Sequence, residues 1–282
     1  MRIGVRAHDF GKLAAGELAG RIAAKGLCCV QLAVNKAIAG MELVPGRGDL
    51  NPGLAWEIGR AFAGHGVQIA VLGCYINLSH PDPATKAPLL AYFKEHLRYA
   101  RDFGCGIVAT ETGSLNADWS FHPGNRTEEA FAALVPVVAE LVAEAQRFGV
   151  VLGIEGVASH VLNSPRRIRR LLDEVKSNNL QVVFDPVNLL SLDNHRDQDR
   201  IIMESFDLFG ERIAIIHAKD FVVEGNTLTQ LRTGGGGRGE LHYGVLMDCL
   251  KARKPGISIL LEEASAATAE ECVAYLRSFC PG

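Results

Sequence analysis

Short, nearly continuous apolar runs rich in β-branched residues recur along the chain at residues 2–7, 27–34, 67–72, 106–110, 150–155, 180–185, 212–217 and 257–262. Between them the apolar positions switch to a helical period. Phe131, Leu134, Val135, Val138, Leu141, Val142 and Ala145 fall on one face of a helix whose other face carries Glu128, Glu129, Glu140 and Arg147. Eight strands alternating with helices, with no break in composition, predict a single α/β domain over residues 1–282 built on a parallel sheet with right-handed crossovers. Eight units favour closure into a (β/α)8 TIM barrel. The alternative is an open doubly wound sheet, but the first strand-to-helix turn, Arg6-Ala7-His8-Asp9-Phe10-Gly11, lacks the G-x-G-x-x-G pattern of such folds.

The joints support the alternation. Gly26, Gly66, Gly104, Gly149, Gly210 and Gly256 sit just before or within two residues of a strand, where a helix ends in a left-handed residue, and Asn179 fills the remaining joint. Asn51-Pro52, Asp82-Pro83 and Ser164-Pro165 each place a capping side chain before a proline, and Thr268 with Glu271 has capping-box spacing.

Composition narrows the class. Hydrophobic residues make up 48% and charged residues 22%, and 29 Lys plus Arg against 32 Asp plus Glu give a net charge of −3. That argues against disorder and provides no global basic field for a nucleic acid. The seven cysteines, Cys28, Cys29, Cys74, Cys105, Cys249, Cys272 and Cys280, include no C-x-x-C and read as buried thiols in a reducing compartment. Arg2, Arg6 and Asp9 interrupt the first nine residues, and no 18-residue apolar run follows, so no membrane association and a cytoplasmic location are expected.

In a barrel, chemistry sits at the C-terminal strand ends. The last four strands end in Ile154-Glu155, Phe184-Asp185, Ile216-His217 and Leu261-Glu262, each closing an apolar run with a residue type that binds divalent cations. Period-2 alternation places Leu260 and Ser258 inside with Glu262, turns Glu263 outward as a cap or surface ion pair, and puts Lys219 on the same side as His217. Three carboxylates at one mouth repel unless a cation lies between them. This oxygen-rich set suits one divalent cation, Mn²⁺ first, with Mg²⁺, Co²⁺ or Zn²⁺ possible.

These residues resemble the xylose isomerase-like barrel superfamily, in particular its sugar phosphate isomerase/epimerase group. The resemblance is carried by Gly153-Ile154-Glu155, residues 183–188 (VFDPVN), residues 216–220 (IHAKD), residues 237–241 (GRGEL) and Leu260-Leu261-Glu262. It implies that Glu155, Asp185, His217 and Glu262 bind the cation and that Glu155 and Glu262 transfer protons through an enediolate. The implied partner is a small carbohydrate, in a protein that can form homo-oligomers. Ketose 3-epimerases of the superfamily usually carry His three residues after the strand-6 Asp and Arg six residues after the strand-7 His; Asn188 and Val223 stand there. A keto-polyol dehydratase, an endonuclease IV-like DNA phosphodiesterase and a non-catalytic sugar-binding barrel stay open as alternatives.

Supporting positions follow from the strand ends. Arg6 and His8 after the first strand, Gln31 at the end of the second, Glu111 at the end of the fourth, and His160, Asn188 and Lys219 near the metal-type residues are candidate substrate contacts. So is Arg238, next to Gly234–Gly237, a run placed where barrels often bind phosphate with backbone N–H groups.

Overall fold

The computed structural model of the protein describes residues 2–279; Cys280, expected as a buried thiol, lies outside them. Seven parallel strands come first: β1 (Arg2–Arg6), β2 (Cys29–Leu32), β3 (Gln68–Gly73), β4 (Ile107–Glu111), β5 (Val151–Glu155), β6 (Leu180–Phe184) and β7 (Ile213–Ala218). An antiparallel hairpin, β8 (Asp220–Glu224) and β9 (Thr227–Leu231), interrupts the alternation before β10 (Ser258–Leu261). β10 pairs with both β7 and β1, so the sheet closes into an eight-stranded barrel and the open-sheet alternative is excluded. Around it lie α1 (Ala15–Ala23), the single-turn α2 (Val34–Ala37), α3 (Pro52–Gly64), α4 (Pro83–Tyr99), α5 (Glu128–Phe148), α6 (Pro165–Val175), α7 (Gln198–Phe209), α8 (Tyr243–Arg253) and α9 (Ala269–Ser278). None of the described helices is long and apolar enough to cross a membrane.

Alternation along each strand creates two cores. Outward side chains such as Leu32, Val108, Ile154, Val182 and Ile216 pack on the helices. Inside the barrel, Cys29, Ala109, Val183, Ile215 and Leu260 fill a narrower layer. Gly4 shows how tight that interior is, because a Cβ there would stand 2.1 Å from the carbonyl oxygen of Cys29. Small residues at the bottom of the barrel leave the longer polar side chains to occupy its mouth.

The helix starts at Asn51, Asp82 and Ser164 are capped as the sequence predicts, each side chain accepting a backbone N–H of the first turn. The Thr268–Glu271 box does not form: Thr268 has helical dihedrals and its hydroxyl faces Ser265. Among the joints, Gly26, Gly66, Gly104 and Gly149 are left-handed, whereas Gly210 is right-handed and Lys176, not Asn179, turns the chain after α6. Asn179 instead donates its amide to Val150 O at 2.6 Å, tying the start of β6 to β5. Of the described cysteines, Cys29, Cys74, Cys105 and Cys272 are buried, but Cys28 and Cys249 are only partly so.

Candidate metal centre and active-site cavity

Glu155 ends β5, Asp185 and Glu262 lie one residue beyond β6 and β10, and His217 is the fifth residue of β7. All four are buried at the barrel mouth. Ligand-type atoms of Glu155, Asp185 and His217 lie within 4.8 Å of one another. Glu262 joins them through His217, whose Nδ1 is 3.1 Å from Glu262 Oε1 and 3.4 Å from Glu155 Oε1. Asp185 Oδ1 accepts the backbone N–H groups of Val187 and Asn188, while its buried Oδ2 faces the Lys219 ammonium. Three buried carboxylates and one imidazole converging at one point make a donor set that fits a divalent cation.

The electrostatics of the cluster are held by fixed cations. Lys219 Nζ stands 2.9 Å from Asp185 Oδ2 and donates to Glu262 Oε2 at 3.0 Å. Burial works against the charge on Glu262, but Lys219, His217 and Arg6 outweigh it and hold the carboxyl well below its usual range. Burial likewise disfavours a charged His217, yet Glu155 and Glu262 raise it to about 9. For Asp185 burial dominates, and even with Lys219 opposing it the carboxyl rises to about 6. Arg6 spans Glu262 (3.4 Å), Glu263 (2.7 Å) and Asp9 (2.9 Å). Glu263 therefore does face away from the cluster as an ion-pairing residue, on a left-handed backbone with φ of 57°.

Above the cluster opens a cavity of about 530 Å³, whose walls include Arg6, His8, Glu111, Asn188, Lys219 and Glu262. Asn188 donates to Glu155 Oε1 at 2.7 Å and so orients that carboxylate. Burial and the neighbouring charge of Glu155 push Glu111 up to about 8, which makes it a protonated carboxyl near neutral pH. His160 lies behind it, with Nδ1 3.3 Å from Glu111 Oε2 and its ring edge-on to Trp119. Burial lowers both His160 and His8 to about 4, so both are neutral imidazoles.

Three expected substrate contacts are placed otherwise, His160 behind Glu111 being the first. Gln31 is fully buried behind His217, its Oε1 2.7 Å from Nε2 of that ring and its amide nitrogen donating to the Tyr75 hydroxyl. Arg238 is exposed and pairs with Glu224 at 3.3 Å, outside the cavity wall. The loop that carries the glycine run folds over a carboxylate of the chain itself: Asp220 Oδ1 accepts from Phe221 and Leu241 N–H, and a Cβ at Gly239 would stand 2.0 Å from Asp220 Oδ2. The loop is thus packed around an internal anion and does not line the cavity.

Sequence reasoning missed Lys36, Tyr75, Trp119 and Gln230, which all line the cavity. A signal existed for Gln230, since Gly225-Asn226 between two β-prone runs is a two-residue hairpin turn. The other three lie in loops or the one-turn α2, where no periodicity marks them.

Residues 22–279 match the family model described as xylose isomerase-like TIM barrel. The chain belongs to that family. Its fold is shared with 3-keto-D-glucoside 4-epimerase YcjR from E. coli (15% identity, 99% of each chain covered, TM-score 0.72). Similar too is the IOLI protein with a binding zinc atom (14% identity, 100% of each chain, TM-score 0.75). A third likeness is a xylose isomerase-like TIM barrel protein from Mycobacterium smegmatis in complex with magnesium (15% identity, 99% of this chain and 96% of that one, TM-score 0.73). No curated protein matches the chain in sequence. Within this xylose isomerase-like barrel, the side chains at the four strand ends, not the scaffold, carry the chemical argument.

Proposed function

We propose that the protein is a divalent-cation-dependent isomerase or epimerase of a sugar, a sugar phosphate or a related keto-polyol. The observation that carries this reading is the convergence of Glu155, Asp185 and His217 within 4.8 Å, with Glu262 against His217, at the base of a polar cavity. Structures of the same fold include a D-psicose 3-epimerase in the presence of D-fructose and the keto-glucoside epimerase, and the zinc and magnesium in two others support a cation here.

In this reading Glu155, Asp185, His217 and Glu262 hold the cation, Mn²⁺ suiting the set best and Mg²⁺, Co²⁺ or Zn²⁺ being compatible. When bound, the cation supplies Lewis acidity for the negative charge that develops on a carbonyl oxygen as a neighbouring proton leaves. Glu155 and Glu262 come from β5 and β10, with β6 and β7 between them, and in this reading one removes a proton from carbon and the other returns one. General acid/base transfer of this kind contributes roughly 10² to 10⁴ in rate. Lys219 keeps Glu262 in its ionised form, Asn188 fixes the face that Glu155 presents, and protonated Glu111 donates a hydrogen bond to a substrate hydroxyl.

Turnover of ketoses, ketose phosphates and keto-inositols with Mn²⁺ in D₂O, read by NMR, tests the proposal. Deuterium is expected on the carbon next to the carbonyl, with exchange abolished in Glu155→Gln and Glu262→Gln. Loss of one water from the substrate assigns a dehydratase instead. Unimpaired turnover in both Gln variants overturns the two-glutamate mechanism.

A further inference from the structure

A second cavity of about 350 Å³ adjoins the first, and the two share Val157, Asn188 and Gln230 as common wall. Their chemistry differs. The inner cavity is lined mostly by charged and hydrogen-bonding side chains, as hydroxyl-rich ligands require. The outer one has an apolar wall made by Phe121, Val187, Leu190 and Leu228.

The hairpin that interrupts the barrel alternation builds both compartments. Leu228 and Gln230 are two residues apart on β9 and therefore point to the same face, Gln230 toward the inner cavity and Leu228 toward the outer. Gln230 donates to Asn188 Oδ1 at 3.1 Å, so the same residue that orients Glu155 also stands on the boundary between the compartments. On the far side Phe121 is 47% exposed, with the Arg126 guanidinium 5.3 Å from its ring centre. Val187 and Leu190 beneath are buried. A free monosaccharide held at the carboxylate cluster leaves Phe121 and the partly exposed Leu228 in water.

Resting on the sugar reading above, we infer that the substrate is a keto-sugar carrying a flat aromatic substituent, an aryl aglycone attached through an oxygen that leaves the ring carbonyl free for proton transfer. The sugar sits in the inner cavity and the substituent passes Asn188–Gln230 to lie against Phe121 and Leu228. The adjacency of the two cavities and the change from polar to apolar lining across the Asn188–Gln230 boundary select this occupant.

The test uses matched methyl and phenyl glycosides of glucose, galactose and mannose, alongside free ketoses, with Mn²⁺ present. Binding is read from Trp119 emission in a Trp56→Phe background, which leaves one of the two tryptophans; Trp119 lines the inner cavity and Trp56 is 55% exposed elsewhere. At least one phenyl glycoside is expected to bind about tenfold more tightly than its methyl counterpart. In Phe121→Ser and in Leu228→Ser, with melting temperatures unchanged, the ratio is expected to fall below about threefold while methyl-glycoside affinity holds. Leu228→Thr replaces any variant that fails to fold. No phenyl advantage in any pair, or an advantage that survives both substitutions, overturns the inference. Sugar binding without that advantage leaves the isomerase reading standing, whereas no binding by any glycoside or ketose overturns both. Conversion of a dimer to a monomer by Phe121→Ser assigns the wall to a second copy and also overturns it.

Discussion

His217 Nε2 lies 2.7 Å from Gln31 Oε1, and the Gln31 amide nitrogen donates to the Tyr75 hydroxyl. The Tyr75 hydroxyl serves either end of the amide, so the ring sets its orientation: Glu155 and Glu262 favour the charged imidazole, whose Nε2–H needs an acceptor. The imidazole therefore carries a proton on Nε2 and turns Nδ1 toward Glu155 and Glu262. Gln31 is a positioning residue for the nitrogen that faces the carboxylates.

Replacement of Gln31 by Leu keeps the volume and removes the acceptor. Loss of such an outer partner costs roughly 10- to 100-fold in metal affinity. Titration calorimetry with Mn²⁺ is expected to show that loss in Gln31→Leu, and Gln31→Glu, which restores an acceptor, is expected to recover part of it. Equal Mn²⁺ affinity in all three proteins would falsify the positioning role.

Lys219 bears on stability as well as chemistry. Its ammonium is buried between Asp185 and Glu262, and removing one member of a buried ion cluster leaves the others uncompensated. Lys219→Met is expected to lose about 3–5 kcal/mol in urea unfolding. Added Mn²⁺ should restore part of that loss by binding only the folded chain. A variant as stable as the parent in chelator contradicts the counter-charge role.

The eight barrel strands and the four metal-type residues were legible because each is a repeated local pattern: an apolar run ended by a carboxylate or imidazole, with side-chain direction set by a period of two. Even the inward placement of Lys219 followed from His217. What escaped the sequence depends on tertiary choices. Arg238 stands beside a glycine run that reads as an anion cradle, but the anion is Asp220 from the start of β8. Thr268 and Glu271 have the spacing of a cap, yet the chain enters α9 already helical. Gln31 ends a strand like any mouth residue, and only the packing of Tyr75 beside it shows that its amide is spent inside.

Acid sensitivity is expected from His96 on α4, far from the carboxylate cluster in the chain. The ring is buried, Nδ1 donates to Tyr92 O at 3.0 Å, and burial lowers its pKa from 6.5 to about 4. The folded protein takes up this proton less readily than the unfolded chain, so the contribution of His96 is fully present above pH 6.5 and is lost as pH falls toward 4. The difference amounts to about 3 kcal/mol. Urea unfolding between pH 7 and 4 should show a shallower decline in His96→Gln than in the parent. Parallel stability curves would remove His96 as the cause.

Arg167 on α6 organises the mouth from outside the cavity. Its guanidinium donates to Asn125 O and Val161 O through Nη1, both at 2.9 Å, and to Arg126 O and Thr127 O through Nη2 at 2.7 and 2.8 Å. These carbonyls belong to the loops after β4 and β5, the same loops that carry Trp119, Phe121 and His160. A fork of donors on a planar group can serve four acceptors, whereas an ammonium has three donors on one nitrogen and cannot reach both pairs. Arg167→Lys is therefore expected to loosen both loops while the barrel stays folded. Backbone hydrogen exchange should quicken across residues 114–127 and 157–163, with protection in β4 and β5 retained. Asn125 and Val161 are buried, and a buried acceptor left unpaired costs about 1–3 kcal/mol, so the variant should also melt earlier. Unchanged exchange in those loops, even with an earlier melt, would show that Arg167 stabilises α6 alone and does not position the mouth.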